Sequence, residues 1–565
     1  MYQSLTTKNQ GGHSMKTFRK LSASLIVALL IMSTLFTPQA SADIKSDYKA
    51  YVMAPLTKIS NWSDFAKQLA TLKSNGVYAL TTDVWWGDVE KNGNNQFDWS
   101  YYRQYAQVVR ESGLKWVPIL STHQCGGNVG DDCNIPIPSW VWSLGTQDAL
   151  THKSETGYVN KETLSPWASN VISTQYDELY ASFASTFSDY KDIIVKIYLS
   201  GGPAGELRFP SYVSSDGWSY PSRGKLQAYT ETAKADFRTS MQSKYGSIGT
   251  LNNAWKTNLS SWNQISPPSD GDNFFTSGAA YNSQYGKDFM TWYQGVLTKH
   301  LQLISSKAHQ NFDSVFNVPI GAKIAGLHWK MNDPYMPHAT EYSAGYYDYA
   351  KILDQFKSSN LDLTFTCLEM DDSQAYTSPY YSAPKSLVTE IANLATQRGI
   401  VLNGENALAI SSSDASYSES RYKNVAQHVF NEGFSGFTLL RLANVVNANG
   451  TKTAEMDRFR DLLVLKPIKV DFVVKNAPTS SGDTVYVTGN RWEMGMWNDS
   501  DGDKIKLSWN TSTKDWRGTA YIAANRYYEF KAVVTGSNGA AKSWEPGSNN
   551  TWNTPSTSSS YSIQW

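Results

Sequence analysis

Two carboxylates in glycine-rich settings carry the strongest chemical signal in the chain. Glu206 lies in Gly201-Gly202-Pro203-Ala204-Gly205-Glu206-Leu207-Arg208, and Glu405 in Asn403-Gly404-Glu405-Asn406-Ala407. Hydrolysis of a glycosidic bond needs a pair of this kind, one carboxyl group to protonate the leaving oxygen and one to act from the opposite face. Glycines beside such groups let backbone approach a substrate closely. Taken singly, either glutamate reads more readily as a salt-bridged structural residue. Their company changes that reading. Polar residues recur at the C-terminal ends of successive apolar runs: Asp83, His123, Glu206, Lys323 with His328, Thr366 with Glu369, Glu405 with Asn406, and Arg441. A purely structural reading fits one or two of these, and a shared cleft fits all of them.

The runs that would position these groups number eight. They are Ala50–Ala54, Val77–Trp85, Trp116–Ser121, Ile193–Ser200, Ile320–Gly326, Leu363–Leu368, Ile400–Asn403 and Gly436–Leu442. Helical patterns alternate with them. In Asn61–Ser74, Trp62, Phe65, Ala66, Leu69 and Leu72 recur at helical spacing before a stop at Gly76. Further helices are expected over Tyr101–Glu111, Tyr176–Phe187, Tyr285–Ser306, Lys385–Gln397 and Arg421–Asn431. Eight β/α units with near-continuous apolar strands predict an α/β fold, a closed (β/α)8 TIM barrel whose active site lies at the C-terminal strand ends. A doubly wound open sheet is the alternative, but no glycine-rich nucleotide fingerprint follows the first strand. Gly201–Arg223 and Ser260–Tyr281 are expected as long loops. After Lys466-Pro467 the pattern turns to short alternating runs, Val470–Val474, Thr484–Thr488, Tyr521–Ala523, Tyr528–Val533 and Tyr561–Gln564, separated by turn residues. They predict a small all-β sandwich without helices, forming a separate module over 467–565. The barrel then spans 43–466.

Composition narrows the partners. Of 565 residues, 41% are apolar and only 18% charged, with 50 basic and 50 acidic side chains in balance. Such a chain has no electrostatic reason to seek nucleic acid or an anionic membrane. The 20 Trp and 34 Tyr serve cores first, but flat rings with polar edges also suit sugars. From Met15, Lys16, Arg19 and Lys20 precede the apolar stretch Leu21–Phe36 and the small residues Ala40-Ser41-Ala42, the pattern of a signal peptide within residues 1–42. The apolar stretch is short for a membrane anchor, so a secreted, extracellular protein is expected. Of three cysteines, Cys125 and Cys133 are close enough in sequence to pair as a disulfide, leaving Cys367 free.

Longer motifs make the resemblance specific. His123-Gln124-Cys125-Gly126-Gly127-Asn128-Val129-Gly130-Asp131 and Gly202 to Tyr212 (GPAGELRFPSY) resemble the two signatures of the β-amylase family, glycoside hydrolases of the maltohydrolase type. The likeness continues through Asp83-Val84-Trp85-Trp86-Gly87, Phe365 to Met370, Gly404 to Ala407 and Leu440-Arg441-Leu442, and covers residues 47–465. The resemblance implies exo-acting, inverting hydrolysis of α-1,4-glucosidic linkages, releasing β-maltose from the non-reducing ends of starch, amylose, amylopectin and maltodextrins. It makes Glu206 the general acid, kept protonated by burial or nearby negative charge, and Glu405 the ionised general base. Inversion calls for carboxyls about 6.5–9.5 Å apart. By the same resemblance Asp83, His123, Asp131, Lys323, His328, Thr366, Asn406, Ala407 and Arg441 contact the sugar. Gly126–Asp131 forms a mobile lid and Thr366 an inner loop.

Bacterial members carry a structural Ca2+ site, matched here by Glu90, Asn94, Asn95, Gln175 and Glu178. Amides at Asn94 and Gln175 depart from the acidic pattern and should weaken it; catalysis itself needs no metal. The tail resembles a starch-binding domain, which implies Trp497 and Trp544 stacking on glucose units while Lys531, Glu545 and Asn549 bind their hydroxyls. A second sugar site at Trp509 and Trp516 lacks a family tyrosine near Ser481, and Trp516 fits a core position. Two rivals remain at this stage, another α-glucan hydrolase and a non-catalytic starch binder on an inactive barrel. A monomer is the expected state.

Overall fold

A computed structural model of the chain describes residues 45, 47–127, 131–276, 280–411, 415–497 and 504–565. The expected signal peptide and the centre of the expected lid lie outside these residues. Among the described residues, no helix is long and apolar enough to cross a membrane.

Eight parallel strands close a barrel, as the apolar runs predict. They are β1 Lys49–Met53, β2 Ala79–Trp85, β3 Lys115–Ser121, β4 Ile197–Leu199, β5 Ile320–Ile324, β6 Asp362–Phe365, β7 Leu402–Glu405 and β8 Gly436–Leu439. Each pairs with its sequence neighbours, and β1 joins β8 through Lys49 opposite Gly436 to Val52 opposite Leu439. The strands are buried on both faces, which is why they read as apolar runs rather than alternating ones. Met53, Ala79, Val117, Ile119 and Tyr198 form an interior cluster, while residues such as Val52, Leu80, Trp116 and Leu199 belong to the larger core packed against the helices.

The helices follow the apolar stripes. Trp62–Ser74 is capped by the Asn61 side chain on the Asp64 amide, buries Phe65, Leu69 and Leu72, and is stopped where Gly76 takes φ +86°. The other five expected helices run Ser100–Ser112, Ser169–Phe187, Gln284–Phe312, Pro384–Arg398 and Ala415–Asn431. Helices not expected from the sequence also appear, notably Glu231–Tyr245 and Tyr349–Ser358. The segment Ser260–Tyr281 is not all loop: Gly271–Phe275 is helical, capped by Asp270 on the Asn273 amide. Gly201–Arg223 is irregular apart from two short turns of 3-10 helix.

The chain leaves the barrel at the helical turn Arg460–Val464 and enters the all-β domain at Ile468. Among the described residues the tail has eight strands, three of which the sequence pattern did not reveal: Ile505–Asn510, Ala541–Trp544 and Asn550–Asn553. One three-residue 3-10 turn, Trp492–Met494, interrupts what was expected to hold no helix. The strand Ile505–Asn510 links two groups of strands, pairing with Thr484–Gly489 at one end and with Asp515–Ile522 at the other. Alternate residues, including Val470, Phe472, Val474, Val485, Val487, Phe530, Ala532 and Val534, make a core separate from the barrel's. The domain nevertheless sits against the barrel. Arg491 Nη2 meets Asp461 Oδ2 at 2.9 Å, Tyr521 donates to the Asn431 side chain, and the Tyr521 and Phe430 rings lie 5.8 Å apart.

Candidate active site

The irregular segment after β4 brings Glu206 to the fifth strand. Glu206 forms a parallel bridge with Lys323, and the Leu207 amide donates to the Lys323 carbonyl at 2.8 Å. Lys323 is the penultimate residue of β5, and its ammonium reaches across to Glu405, which ends β7. Nζ lies 2.9 Å from Oε1 and 2.7 Å from Oε2 of that carboxylate. Backbone pairing and one ammonium therefore set both glutamates around a single lysine. Among the described residues neither carboxyl bonds the other. Glu206 is held instead by Arg208, whose Nε donates to Oε2 at 2.8 Å.

Burial sets the electrostatics. Glu405 is 5% exposed, and burial holds its carboxyl above the usual carboxylate range against the pull of Lys323 and Arg441; Glu206 adds a smaller upward push. His123 sits edge-on to Trp85, 5.1 Å between ring centres, and shares a proton with the Ser200 hydroxyl at 2.9 Å. Burial pushes its imidazole down to about 4, so it is neutral at pH 7. His328 is lowered to about 4 for the same reason and lies 2.6 Å from the Ser382 hydroxyl. Neutral imidazoles can both donate to and accept from sugar hydroxyls.

The other expected contacts are each fixed by partners of their own. The Ser121 hydroxyl donates to Asp83 Oδ1 at 2.8 Å. Asp131 Oδ2 accepts from the Gly126 amide at 3.0 Å, inside the loop closed by the Cys125–Cys133 disulfide, whose Cα atoms stand 5.7 Å apart. Cys367 is free and buried. Thr366 Oγ1 accepts from the Gly326 amide at 2.8 Å, tying the loops after β5 and β6 together. Arg441 donates to the Ala54 carbonyl at 3.2 Å.

Asn406 differs from expectation. Its side chain is wholly buried, donates to the Leu408 and Leu440 carbonyls and accepts from the Leu440 amide. It holds the end of β8 rather than facing outward. The Ala407 and Leu408 amides donate to Glu369, and burial raises that carboxyl to about 7 against those bonds. Glu369 therefore positions the loop after β7. Arg208 stood in the quoted motif without a role, and nothing in its spacing indicated that it would hold Glu206.

The expected calcium residues partly converge. Burial raises the Glu90 carboxyl, and Glu178 adds to the rise. Glu90 accepts from Trp86 Nε1 and the Asn95 amide, each at 2.6 Å, while Asn94 and Asn95 are exposed. Gln175 Oε1 and Glu178 Oε2 are buried oxygens without a hydrogen-bond partner. Unsatisfied oxygens of this kind fit a hard cation, though no cluster of three or more His, Cys, Asp or Glu side chains forms among the described residues.

In the C-terminal domain, Trp497 is half-buried and Trp544 is 39% exposed. Lys531 Nζ donates to the Glu545 and Gly547 carbonyls. Glu545 accepts from the Ala532 amide and from Asn550 Nδ2. These bonds frame the Trp544 turn, and Asn549 stands exposed beside it. Trp509 is exposed, but Trp516 is buried in the domain core, which weakens a second site built on both rings.

A family model described as Glycosyl hydrolase family 14 matches residues 51–467, and one described as Starch binding domain matches residues 467–564. The chain belongs to glycosyl hydrolase family 14. Its relatives include the thermophilic β-amylase of Thermoanaerobacterium thermosulfurigenes, 53% identical over 97% of this chain and 99% of that one. The β-amylase of Bacillus cereus is 52% identical over 96% and 98%. The catalytic domain of the Paenibacillus polymyxa β-amylase, a crystal structure, superposes with a TM-score of 0.71 at 57% identity, covering 76% of this chain and 99% of that one. Family 14 enzymes are inverting exo-maltohydrolases that act on starch, and this chain is one of them.

Proposed function

We propose that Glu206 is the general acid and Glu405 the general base of this reaction. Glu206 gives its proton to the linkage oxygen as the C1–O bond breaks. Glu405 takes a proton from a water molecule whose oxygen bonds to C1 from the opposite face, leaving β-maltose. The observation that carries this division is the different partner of each carboxyl group. Glu405 is gripped through both oxygens by Lys323, which suits a carboxylate that must remain ionised and aimed. Glu206 meets Arg208 through one oxygen, leaving the other for the linkage. Asp83, His123, Asp131, His328, Thr366, Ala407 and Arg441 bind the two terminal glucose units, with Asn406 acting through the frame.

The test combines two variants with one product analysis. Glu206→Gln and Glu405→Gln should each lose about 10²-fold or more in kcat with the fold intact, the scale of a lost general acid or base. Proton NMR of fresh wild-type product from amylose should show β-maltose alone. Ordinary turnover by Glu405→Gln would remove the base from this assignment, and α-maltose would remove inversion.

Trp497 and Trp544 are read as the stacking rings of the starch-binding domain, with Lys531, Glu545 and Asn549 fixing their surroundings. Glu90, Asn94, Asn95, Gln175 and Glu178 would hold a structural Ca2+ whose only contribution is to tie the segment after β2 to the helix Ser169–Phe187. The orphaned oxygens of Gln175 and Glu178 support it. The export pattern at the start of the chain supports secretion, with starch outside the cell as the substrate and a monomer as the working unit.

A further inference from the structure

Glu162 follows the small ribbon His152–Lys153/Val159–Asn160 and has no part in the chemistry described so far. It is 5% exposed. Its amide donates to Asn160 Oδ1 at 2.8 Å, and its carbonyl accepts from Gln124 at 2.7 Å, at the root of the disulfide loop. The carboxyl group lies against Gly127, where any side chain would collide with it. Oε1 is buried without a hydrogen-bond partner.

The charges facing it come from several elements. From the segment after β4 come Arg208, Glu206 and Tyr212, and from the disulfide loop Asp131. His123 faces the same guanidinium as well as Lys323, and Tyr346 and Glu405 each lie within electrostatic reach of Glu206. Arg208 is itself buried, stacked 4.2 Å from the Tyr212 ring centre and bonded to Glu206. A buried cation is costly once its counter-charge is withdrawn. Glu206 withdraws part of that charge whenever it carries the proton it must deliver.

We propose that Glu162 is a positioning residue for the acid, sharing the Arg208 guanidinium with Glu206 so that Glu206 can be protonated without stranding a buried cation. The proposal rests on the reading of Glu206 as the acid. Burial pushes the Glu162 carboxyl up to about 6 against the pull of Arg208, with Asp131 and Glu206 adding to the rise. Glu162 is thus ionised at neutral pH, where it can serve.

The sign follows from charge balance. Removing the Glu162 charge leaves Arg208 leaning on Glu206, so the acid loses its proton at lower pH. In the full-length enzyme acting on maltopentaose, Glu162→Gln should move the alkaline limb of kcat down by on the order of one pH unit, the scale of one nearby charge. The acidic limb should stay in place. Glu162→Asp keeps the charge but withdraws it from Arg208, and should move the same limb by less. Where the glutamine variant does not fold, the aspartate variant carries the test. Uniform loss at every pH, with both limbs unmoved, would show a merely structural residue and overturn the proposal. Glu206→Gln separates the two readings: if it turns over normally the acid is misassigned, whereas if it is dead and the limb of Glu162→Gln is unmoved, only the role of Glu162 is lost.

Discussion

At the barrel mouth the groups proposed to act on sugar are polar and buried, whereas the C-terminal domain offers rings to solvent. Glu405, Lys323 and His123 are 5–6% exposed, while Trp544 and Trp509 are 39% and 46% exposed. The contrast follows from the work each surface does. Moving protons requires groups whose charge is set by a dry environment and a fixed partner. Holding a long chain without altering it requires only flat faces that remain reachable. Loss of one buried charge should therefore alter the chemistry itself, and loss of one ring only the encounter with substrate.

Of the variants that leave both glutamates in place, Lys323→Met should show the largest effect. The substitution keeps the bulk and removes the ammonium that binds both Glu405 oxygens. Burial already raises the Glu405 carboxyl, and Lys323 is the strongest opposing pull, so the variant's base should protonate at still higher pH. The acidic limb of kcat against pH then moves upward by about one unit or more, and kcat at neutral pH falls by about 10²-fold. An acidic limb that stays in place would break the link between this lysine and the base.

A smaller effect is expected at the rings. Trp497→Ala with Trp544→Ala should slow attack on starch granules by roughly tenfold or more, because the domain acts by holding enzyme near an insoluble substrate. Turnover of soluble maltopentaose should be unchanged. Equal losses on both substrates would mean that the rings support the barrel, which the docking contacts at Asp461 and Asn431 make a specific alternative.

The same contrast explains what could be read from sequence. Barrel strands are covered on both faces, so eight apolar runs revealed them. The helix Glu231–Tyr245 buries only Ala233, Phe237 and Met241, and its polar remainder hid it. Strands Ala541–Trp544 and Asn550–Asn553 have no fully buried position, so alternation gave no signal. In the site, the two glutamates were legible because motif and strand end coincide. Glu162 and Glu369 acquire their roles from residues distant in sequence, Arg208 holds a carboxyl two residues away that its motif did not assign to it, and the Asn406 side chain reads as a ligand-facing polar group until its partners at Leu408 and Leu440 are known.

The smallest predicted effect concerns stability and again divides the molecule. His123, His300 and His328 are pushed down to about 4 by burial, and His152 to about 3; all four lie in the barrel half. In the unfolded chain they titrate near 6.5, so the unfolded state binds more protons between about 4 and 6.5. Stability from keeping them neutral is complete above 6.5 and is lost as pH falls through that window. His338, raised by Glu341, runs the other way, contributing below 6.5 and fading as pH rises. The buried carboxyls of Glu369 and Glu162, raised to about 7 and about 6, also favour the folded state as pH falls, but four depressed imidazoles outweigh these three groups together. No histidine lies beyond residue 428, and Asp515 in the C-terminal domain is lowered to about 2 by Arg517, so its ion pair survives the whole window. Calorimetry at pH 7 and pH 5 should show the barrel transition moving down by several degrees while that of the C-terminal domain moves less. If both transitions shifted equally, the packed interface would be coupling the two domains into one unfolding unit. The buried imidazoles would then destabilise the whole chain rather than the barrel alone.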